Sequence, residues 1–193
     1  MEILKKLTPI PWGVKSFLFK ALLLFIAWKV LYLVFLYPKR IVDAPLTLVV
    51  ANGTASTLNL ISSESPYTVT HESDQTELAG TIQTEELETI NFHNEKTLSI
   101  ADKCNALEVF VLFAGFIVCF PALTSRKLIF ITVGIFAIFI FNILRCVALT
   151  LVCIHYPNYV EISHHYIFNI IIYLFIFWLW YLFSKKLTLH AAQ

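Results

Sequence analysis

Three kinds of side chain capable of catalysis flank or enter apolar segments of this 193-residue chain. Cys104 precedes one apolar run, Arg145 lies inside the next run, and the pair His164 and His165 precedes the last one. A cysteine thiolate is a nucleophile, a histidine can take up and return its proton, and an arginine can donate to an oxyanion. These residue types fit acyl transfer through a cysteine, if the fold brings them together.

The composition indicates that these residues lie in or near a membrane. Apolar residues make up 58 % of the chain and the mean hydropathy is +0.74, whereas soluble domains contain roughly 45–50 % apolar residues. The net charge is +1, and the basic residues are scattered near segment ends, which argues against nucleic-acid binding. The expected partners are membrane lipid and a membrane-bound substrate, and the oligomeric state is open.

Four apolar runs are long enough to span a bilayer, which takes roughly 20 residues. They cover residues 16–37, 105–123, 128–154 and 166–184. The first run is too long for the apolar part of a cleaved signal peptide and is predicted to stay as an anchor. The predicted fold is an all-α membrane protein, a four-transmembrane-helix bundle with a small extracytoplasmic α+β cap.

The basic residues near the span ends predict the orientation, because Lys and Arg are retained on the cytoplasmic side. With four spans, both termini lie in the cytoplasm, and the site faces outward from the cytoplasmic membrane. The chain is predicted to have three parts. Residues 1–39 form the cytoplasmic N-terminus and the first transmembrane helix, and residues 40–103 form an extracytoplasmic loop. Residues 104–193 form a catalytic core of three transmembrane helices. Within the loop, 46–61 favours an amphipathic interfacial helix and 88–102 favours a β-hairpin.

This topology predicts that the thiol, the guanidinium and an imidazole converge near the outer face. Cys104 begins the second span, and Arg145 lies roughly 13 Å below the outer end of the third, within reach of a rising side chain. Polar residues inside spans are functional candidates by default. Here they are Lys29, Glu108, Asn142, Arg145 and Asn169.

Each candidate has a structural alternative. The alternatives for Cys104 are an inert thiol or a disulfide with Cys153. The alternative for Arg145 is a buried ion pair with Glu108 that fixes helix registry. For Lys29 we expect a structural role, in which its obvious ion-pair partner is Glu108. The other cysteines, Cys119 and Cys146, lie in apolar runs where a free thiol usually acts as a small hydrophobe. No Cys or His spacing of the zinc type is present, so no metal is expected.

Three stretches carry a resemblance to a known family. The chain has "DKCNALEVFVLFAGF", then "FNILRCVALTLV", then "SHHYIFNIIIYLFIFWLW". This order resembles the exosortase/archaeosortase family, mainly over residues 101–184, and the length resembles its short four-span members. Many members have glycine two residues after the cysteine, where this chain has Ala106.

The resemblance implies a membrane-embedded cysteine transpeptidase without metal or organic cofactor. It implies Cys104 as nucleophile, Arg145 as stabiliser of the reacting carbonyl, and His164 or His165 as acid and base, with His164 favoured by its spacing to "YIFN". The substrates would be exported proteins with a C-terminal transmembrane sorting tail, transferred or released at the outer face. The residues expected to support the site or bind substrate are Asn105, Glu108, Asn142 and Asn169.

Two other functions fit the same residues. One is a non-catalytic membrane scaffold for surface polysaccharide or protein export, in which Arg145 and Glu108 form a structural pair. The other is a transferase that uses the same thiol on a lipid or acyl substrate.

Overall fold

The computed structural model describes residues 12–62, 67–78, 81–120 and 122–191. The described part is mostly helical and contains one three-stranded sheet. The helices are α1 Trp12–Leu31, α2 Asp43–Ile61, α3 Leu107–Cys119, α4 Thr124–His155, α5 Val160–Ile162 and α6 Phe168–Ala191. The strands are β1 Thr68–Leu78, β2 Thr81–Phe92 and β3 Glu95–Ala101.

Four segments of the described part are long and apolar enough to cross a membrane, by length and composition. They are Val14–Lys39, Asp43–Ile61, Thr124–His155 and Phe168–Lys185. The first, third and fourth coincide with predicted spans. The prediction of a helical membrane protein is therefore confirmed, and the second predicted span is the one that differs.

The helix at the second predicted span, α3, is shorter than the apolar run that contains it. It has 13 residues, which gives a length of about 20 Å, against a hydrocarbon core of about 30 Å. It begins after Ala106, whose backbone is left-handed with φ 70°, and it ends at Cys119, because the next residue, Phe120, is extended with ψ 140°. Phe120 precedes a proline in the sequence, and proline disfavours helical backbone at the residue before it. The helix is therefore shorter than the span predicted over 105–123.

Helix α2 confirms the predicted helix at 46–61 but lies between other elements of the fold. Its buried side chains face α4, the sheet and the turn around Cys104, and they are Asp43, Thr47, Val50, Ala51, Thr54, Ala55 and Leu58. Gly53 allows close contact with α4, because a Cβ at this position would lie 2.8 Å from Cδ1 of Ile143. The opposite face of α2 is exposed and carries Leu48, Val49, Leu60 and Ile61, so the helix is amphipathic, as predicted.

The sheet has the antiparallel order β1-β2-β3. The predicted hairpin at 88–102 is confirmed as β2 and β3, joined at His93 and Asn94, which both have positive φ (53° and 62°). Positive φ at both central residues is typical of the type I′ hairpin turn. The sequence did not predict β1, whose residues are nearly all polar.

The buried apolar residues form two separate cores. We call the first the sheet-side core; it joins α2, the sheet and the C-terminal half of α4 through Val50, Ala51, Ala55, Leu58, Tyr67, Ile90, Ile100, Ile143, Cys146 and Val147. We call the second the bundle-side core; it joins α3, the N-terminal half of α4 and α6 through Phe113, Ile117, Ile138, Ile172, Ile176, Leu179 and Phe183. Helix α4 serves both cores because its 32 residues extend about 48 Å.

Candidate active site

Cys104, which packs against the sheet-side core, lies in contact with His164. Cys104 ends a single 3₁₀ turn, Asp102–Cys104, that follows β3, and His164 lies in a π-helical turn, Ser163–Ile167, that leads into α6. The thiol Sγ lies 3.6 Å from Nε2 of His164, within hydrogen-bonding distance for sulfur. Single π turns occur frequently at functional sites. The side chain of the other candidate, His165, lies outside the described part of the structure.

Arg145 projects from α4 near the thiol. Burial raises the pKa of the Cys104 thiol, and the positive charge of Arg145 opposes that rise without cancelling it. The resting thiol therefore keeps its proton at neutral pH.

Arg145 makes no ion pair with any acid in the part of the chain that the structure describes. Glu108 instead accepts from Nζ of Lys29, at 2.5 Å, and its side chain is 63 % exposed. The predicted partnership of Lys29 and Glu108 is confirmed. The alternative in which Arg145 and Glu108 form a buried structural pair was wrong.

Asn142 holds the backbone of the cysteine turn. It lies one helical turn before Arg145 on α4 and is fully buried. Its Nδ2 donates to the carbonyl oxygen of Cys104 at 3.0 Å. The prediction that Asn142 supports the site is consistent with this contact.

Asn105 fixes the same turn from its other side and is 1 % exposed. Its Nδ2 lies 3.0 Å from Oδ1 of Asp43 and 3.2 Å from Oγ1 of Thr47. Its Oδ1 accepts from the backbone N–H of Leu107 at 2.9 Å, which provides the first turn of α3 with a side-chain acceptor.

Sequence reasoning missed the ionic clasp that anchors the cysteine turn to the start of α2. Arg40 donates to both carboxylate oxygens of Asp102, at 2.6 Å from Nε and 2.8 Å from Nη2, and a two-bond pair of this kind fixes geometry as well as charge. Thr47 also donates to Asp102, at 2.8 Å. The sequence contained one indication of this ion pair, because Arg40 and Asp102 carry opposite charges at the two ends of the predicted loop 40–103. The 62 positions between them hid the pairing.

Asn169 and the other cysteines are the remaining residues that the sequence singled out. Asn169 is half-buried in the first turn of α6. Cys146 is buried in the sheet-side core, as a small hydrophobe is expected to be. All four cysteines are free thiols, so the alternative of a disulfide between Cys104 and Cys153 was wrong.

Comparison with known proteins identifies the family. A family model described as Transmembrane exosortase (Exosortase_EpsH) matches residues 7–184. No curated protein and no solved structure matches the chain. Because the family model covers most of the sequence, this protein belongs to the transmembrane exosortase family.

Proposed function

We propose that this member of the transmembrane exosortase family is a cysteine transpeptidase that cleaves the C-terminal sorting tail of exported proteins. The observation that carries the proposal is the 3.6 Å separation between Sγ of Cys104 and Nε2 of His164. A nucleophile and a base at this separation form the pair that covalent catalysis needs. Family membership supplies the class of reaction, and the geometry supplies the residues.

Acylation begins with a neutral thiol, because burial raises the pKa of Cys104. His164 takes the thiol proton as sulfur attacks the carbonyl carbon of the scissile peptide, and the carbonyl π electrons move to oxygen. Arg145, which stays protonated, donates to that oxyanion. When the tetrahedral intermediate collapses, the carbon–nitrogen bond breaks, the imidazolium proton passes to the leaving amine, and a thioester remains on Cys104.

Deacylation reverses these roles. An amine acceptor, or water, attacks the thioester carbonyl while His164 takes the proton of the attacking group. The sulfur leaves as thiolate and recovers its proton from the imidazolium. An amine acceptor yields a transferred protein, and water yields a released one.

The choice of His164 over His165 rests on the contact with the thiol. His164→Ala removes the base, so cleavage should fall by roughly 10²–10⁴-fold, the usual contribution of a general base. His165→Ala is the matched control and should retain most of the activity. If His165→Ala lost more cleavage activity than His164→Ala, His165 would be the base instead of His164.

We place the site at the outer surface of the membrane. Helix α4 is about 48 Å long and exceeds the hydrocarbon core by about 18 Å. Its C-terminal half packs against α2 and a sheet rich in charged side chains, which lipid tails would not solvate. The basic residues at the other end favour cytoplasmic termini, so the sheet and Cys104 would lie outside.

The primary test uses Cys104→Ala and Cys104→Ser in the native membrane. Both variants should insert normally and accumulate exported proteins with an uncleaved C-terminal tail. Cys153→Ala, which removes another half-buried thiol, is the control and should process normally. Normal processing by Cys104→Ala would end the proposal.

Mass spectrometry of the adduct trapped on Cys104 separates this function from lipid-group transfer. A peptide adduct supports the transpeptidase, whereas a lipid adduct supports the transferase. The scaffold alternative depended on a structural pair between Arg145 and Glu108, and Glu108 pairs with Lys29 instead.

A further inference from the structure

Two buried polar atoms beside the cysteine turn have no hydrogen-bond partner among the described residues. One is Oδ1 of Asn142, an acceptor, and the other is Nε of Arg145, a donor. Asn142 is fully buried, and a buried polar group left unpaired typically costs about 1–3 kcal/mol. Native proteins contain few such groups, so two of opposite type within one turn of the same helix call for a functional reason.

The orientation of the Asn142 amide follows from its known contact. The carbonyl oxygen of Cys104 can only accept, so the nitrogen of the Asn142 amide must face it at 3.0 Å. The acceptor oxygen is therefore the atom left over, and it lies on a side chain already in contact with the nucleophile's own backbone. Arg145, three residues later, shares this face of α4.

An acceptor and a donor at adjacent positions complement a peptide backbone, which offers one N–H and one C=O per residue. We propose that Asn142 and Arg145 form a subsite for the substrate backbone, in which Oδ1 of Asn142 accepts a substrate N–H next to the scissile bond. This inference rests on the proposed function and assigns Asn142 direct contact with the substrate. Arg145 then binds the adjacent carbonyl.

The position of Asn142 indicates which side of the scissile bond it serves. Asn142 lies on the bundle side of Arg145, toward the N-terminal half of α4 and the apolar core. An apolar transmembrane tail would approach from that side. The N–H bound by Asn142 therefore belongs to the tail, the part of the substrate that leaves.

Two small alkylating probes test the subsite without a known substrate. N-methyl iodoacetamide carries one amide N–H, and methyl iodoacetate has an ester oxygen in the same place. In both reactions sulfur displaces iodide, a carbon–sulfur bond forms, and the thiol proton is lost to base. The amide-to-ester rate ratio is measured at Cys104 by mass spectrometry of the full-length protein in detergent, and the same ratio at Cys153 corrects for intrinsic reactivity and partitioning.

In the wild type we expect a corrected preference for the amide of about fivefold to tenfold, the contribution of one net hydrogen bond. Asn142→Leu, which has no acceptor, should reduce the corrected ratio to about one. Asn142→Asp keeps an oxygen acceptor and should retain the preference, even if its charge slows both probes. Should Asn142→Leu fail to fold, Asn142→Ala takes its place.

A wild-type ratio near one would overturn the inference, because a merely structural Asn142, or one satisfied by a bound water, does not distinguish the probes. Persistence of the preference in Asn142→Leu would also overturn it. The probes need no peptide cleavage. If the rate ratio is one but processing depends on Cys104, only the subsite proposal is refuted. If the amide is preferred but no substrate is processed, the transpeptidase proposal is refuted.

Discussion

The sheet-side and bundle-side cores of this protein differ in how much polarity they bury. The bundle-side core consists of aliphatic and aromatic side chains, with Phe113 and Phe183 fully buried. The buried polar residues of the described chain lie elsewhere, on α2, the sheet, the cysteine turn, the C-terminal half of α4 and the turn that holds His164. They are Asp43, Thr47, Thr54, Glu88, Thr89, Asn91, Asn105, Asn142, Thr150 and Ser163.

The difference reflects what each core has to specify. Apolar contacts are non-directional, so they hold helices together without fixing any one atom. Hydrogen bonds and ion pairs have preferred distances and angles, and they are costly when broken inside a protein. Cys104 packs against the sheet-side core, and polar contacts of Asn105 and Asn142 fix the turn that carries it.

Tight packing on the bundle side gives the largest predicted effect. A Cβ at Gly134 of α4 would overlap the ring of Phe113, which is fully buried and cannot move aside. Gly134→Ala should therefore lower the free energy of unfolding by about 3 kcal/mol, the upper part of the usual range for overpacking. Unfolding in detergent measures this, and Phe113→Leu should restore much of the loss in the double variant.

Two glycines provide matched controls for that prediction. A Cβ at Gly115 would meet only the flexible end of Leu24, at 2.9 Å, and one at Gly53 would meet the end of Ile143, at 2.8 Å. Gly115→Ala and Gly53→Ala should each cost less than about 1 kcal/mol, because these side chains can shift and alanine favours helix. Equal losses at all three glycines would contradict the packing argument.

The polar contacts of the sheet side give the next largest effect. Asn105→Ala leaves the Asp43 carboxylate and the Leu107 N–H without this partner and should cost about 2 kcal/mol of unfolding free energy. On the bundle side, Ile172→Val removes one buried methylene and should cost about 1 kcal/mol. If the valine variant proves the less stable of the two, polar contacts do not dominate at the cysteine turn.

A smaller effect concerns the titration of the thiol. Because Arg145 lowers a Cys104 pKa that burial has raised, Arg145→Met should raise that pKa further. Alkylation of Cys104 by iodoacetamide should then require higher pH, without a change in fold. Lys103 acts in the same direction but less strongly, so Lys103→Met should give a smaller shift. An alkylation profile that Arg145→Met leaves unmoved would show that the guanidinium does not act on the thiol.

The smallest effect is predicted at Ala106, which is left-handed with φ 70°. Ala106→Gly relieves the strain of the left-handed backbone, which stabilises the fold by about 1–2 kcal/mol. Loss of a buried methyl costs about 0.8 kcal/mol, and the greater chain entropy of glycine in the unfolded state costs about 0.5–1 kcal/mol. The net change in unfolding free energy should stay within about 0.5 kcal/mol. Ala106→Val, with a branched Cβ in the same conformation, should lower stability clearly. Equal stability of the glycine and valine variants would show that the backbone there is not constrained.

The sequence by itself determined the membrane class, the four long helices α1, α2, α4 and α6, and the β2–β3 hairpin. These features follow from the length and spacing of apolar residues, which depend on neighbours close in the chain. It also narrowed the candidate site residues, because only a few residue types can serve as nucleophile, base and oxyanion donor. The resemblance around Cys104, Arg145 and His164 led to the family that the family model then matched over residues 7–184.

Only the tertiary structure decided how long α3 is, where α2 packs and what positions the thiol. The left-handed backbone at Ala106 shortens an apolar run that hydropathy reads as continuous. Strand β1 has no alternating apolar pattern, so its place in the sheet depends on pairing with β2. The clasp of Arg40 on Asp102 joins residues 62 positions apart, and the contact of Asn142 with the carbonyl oxygen of Cys104 joins residues 38 apart. Contacts at such separations arise from the packing of whole elements, and local patterns in the chain carry no information about them.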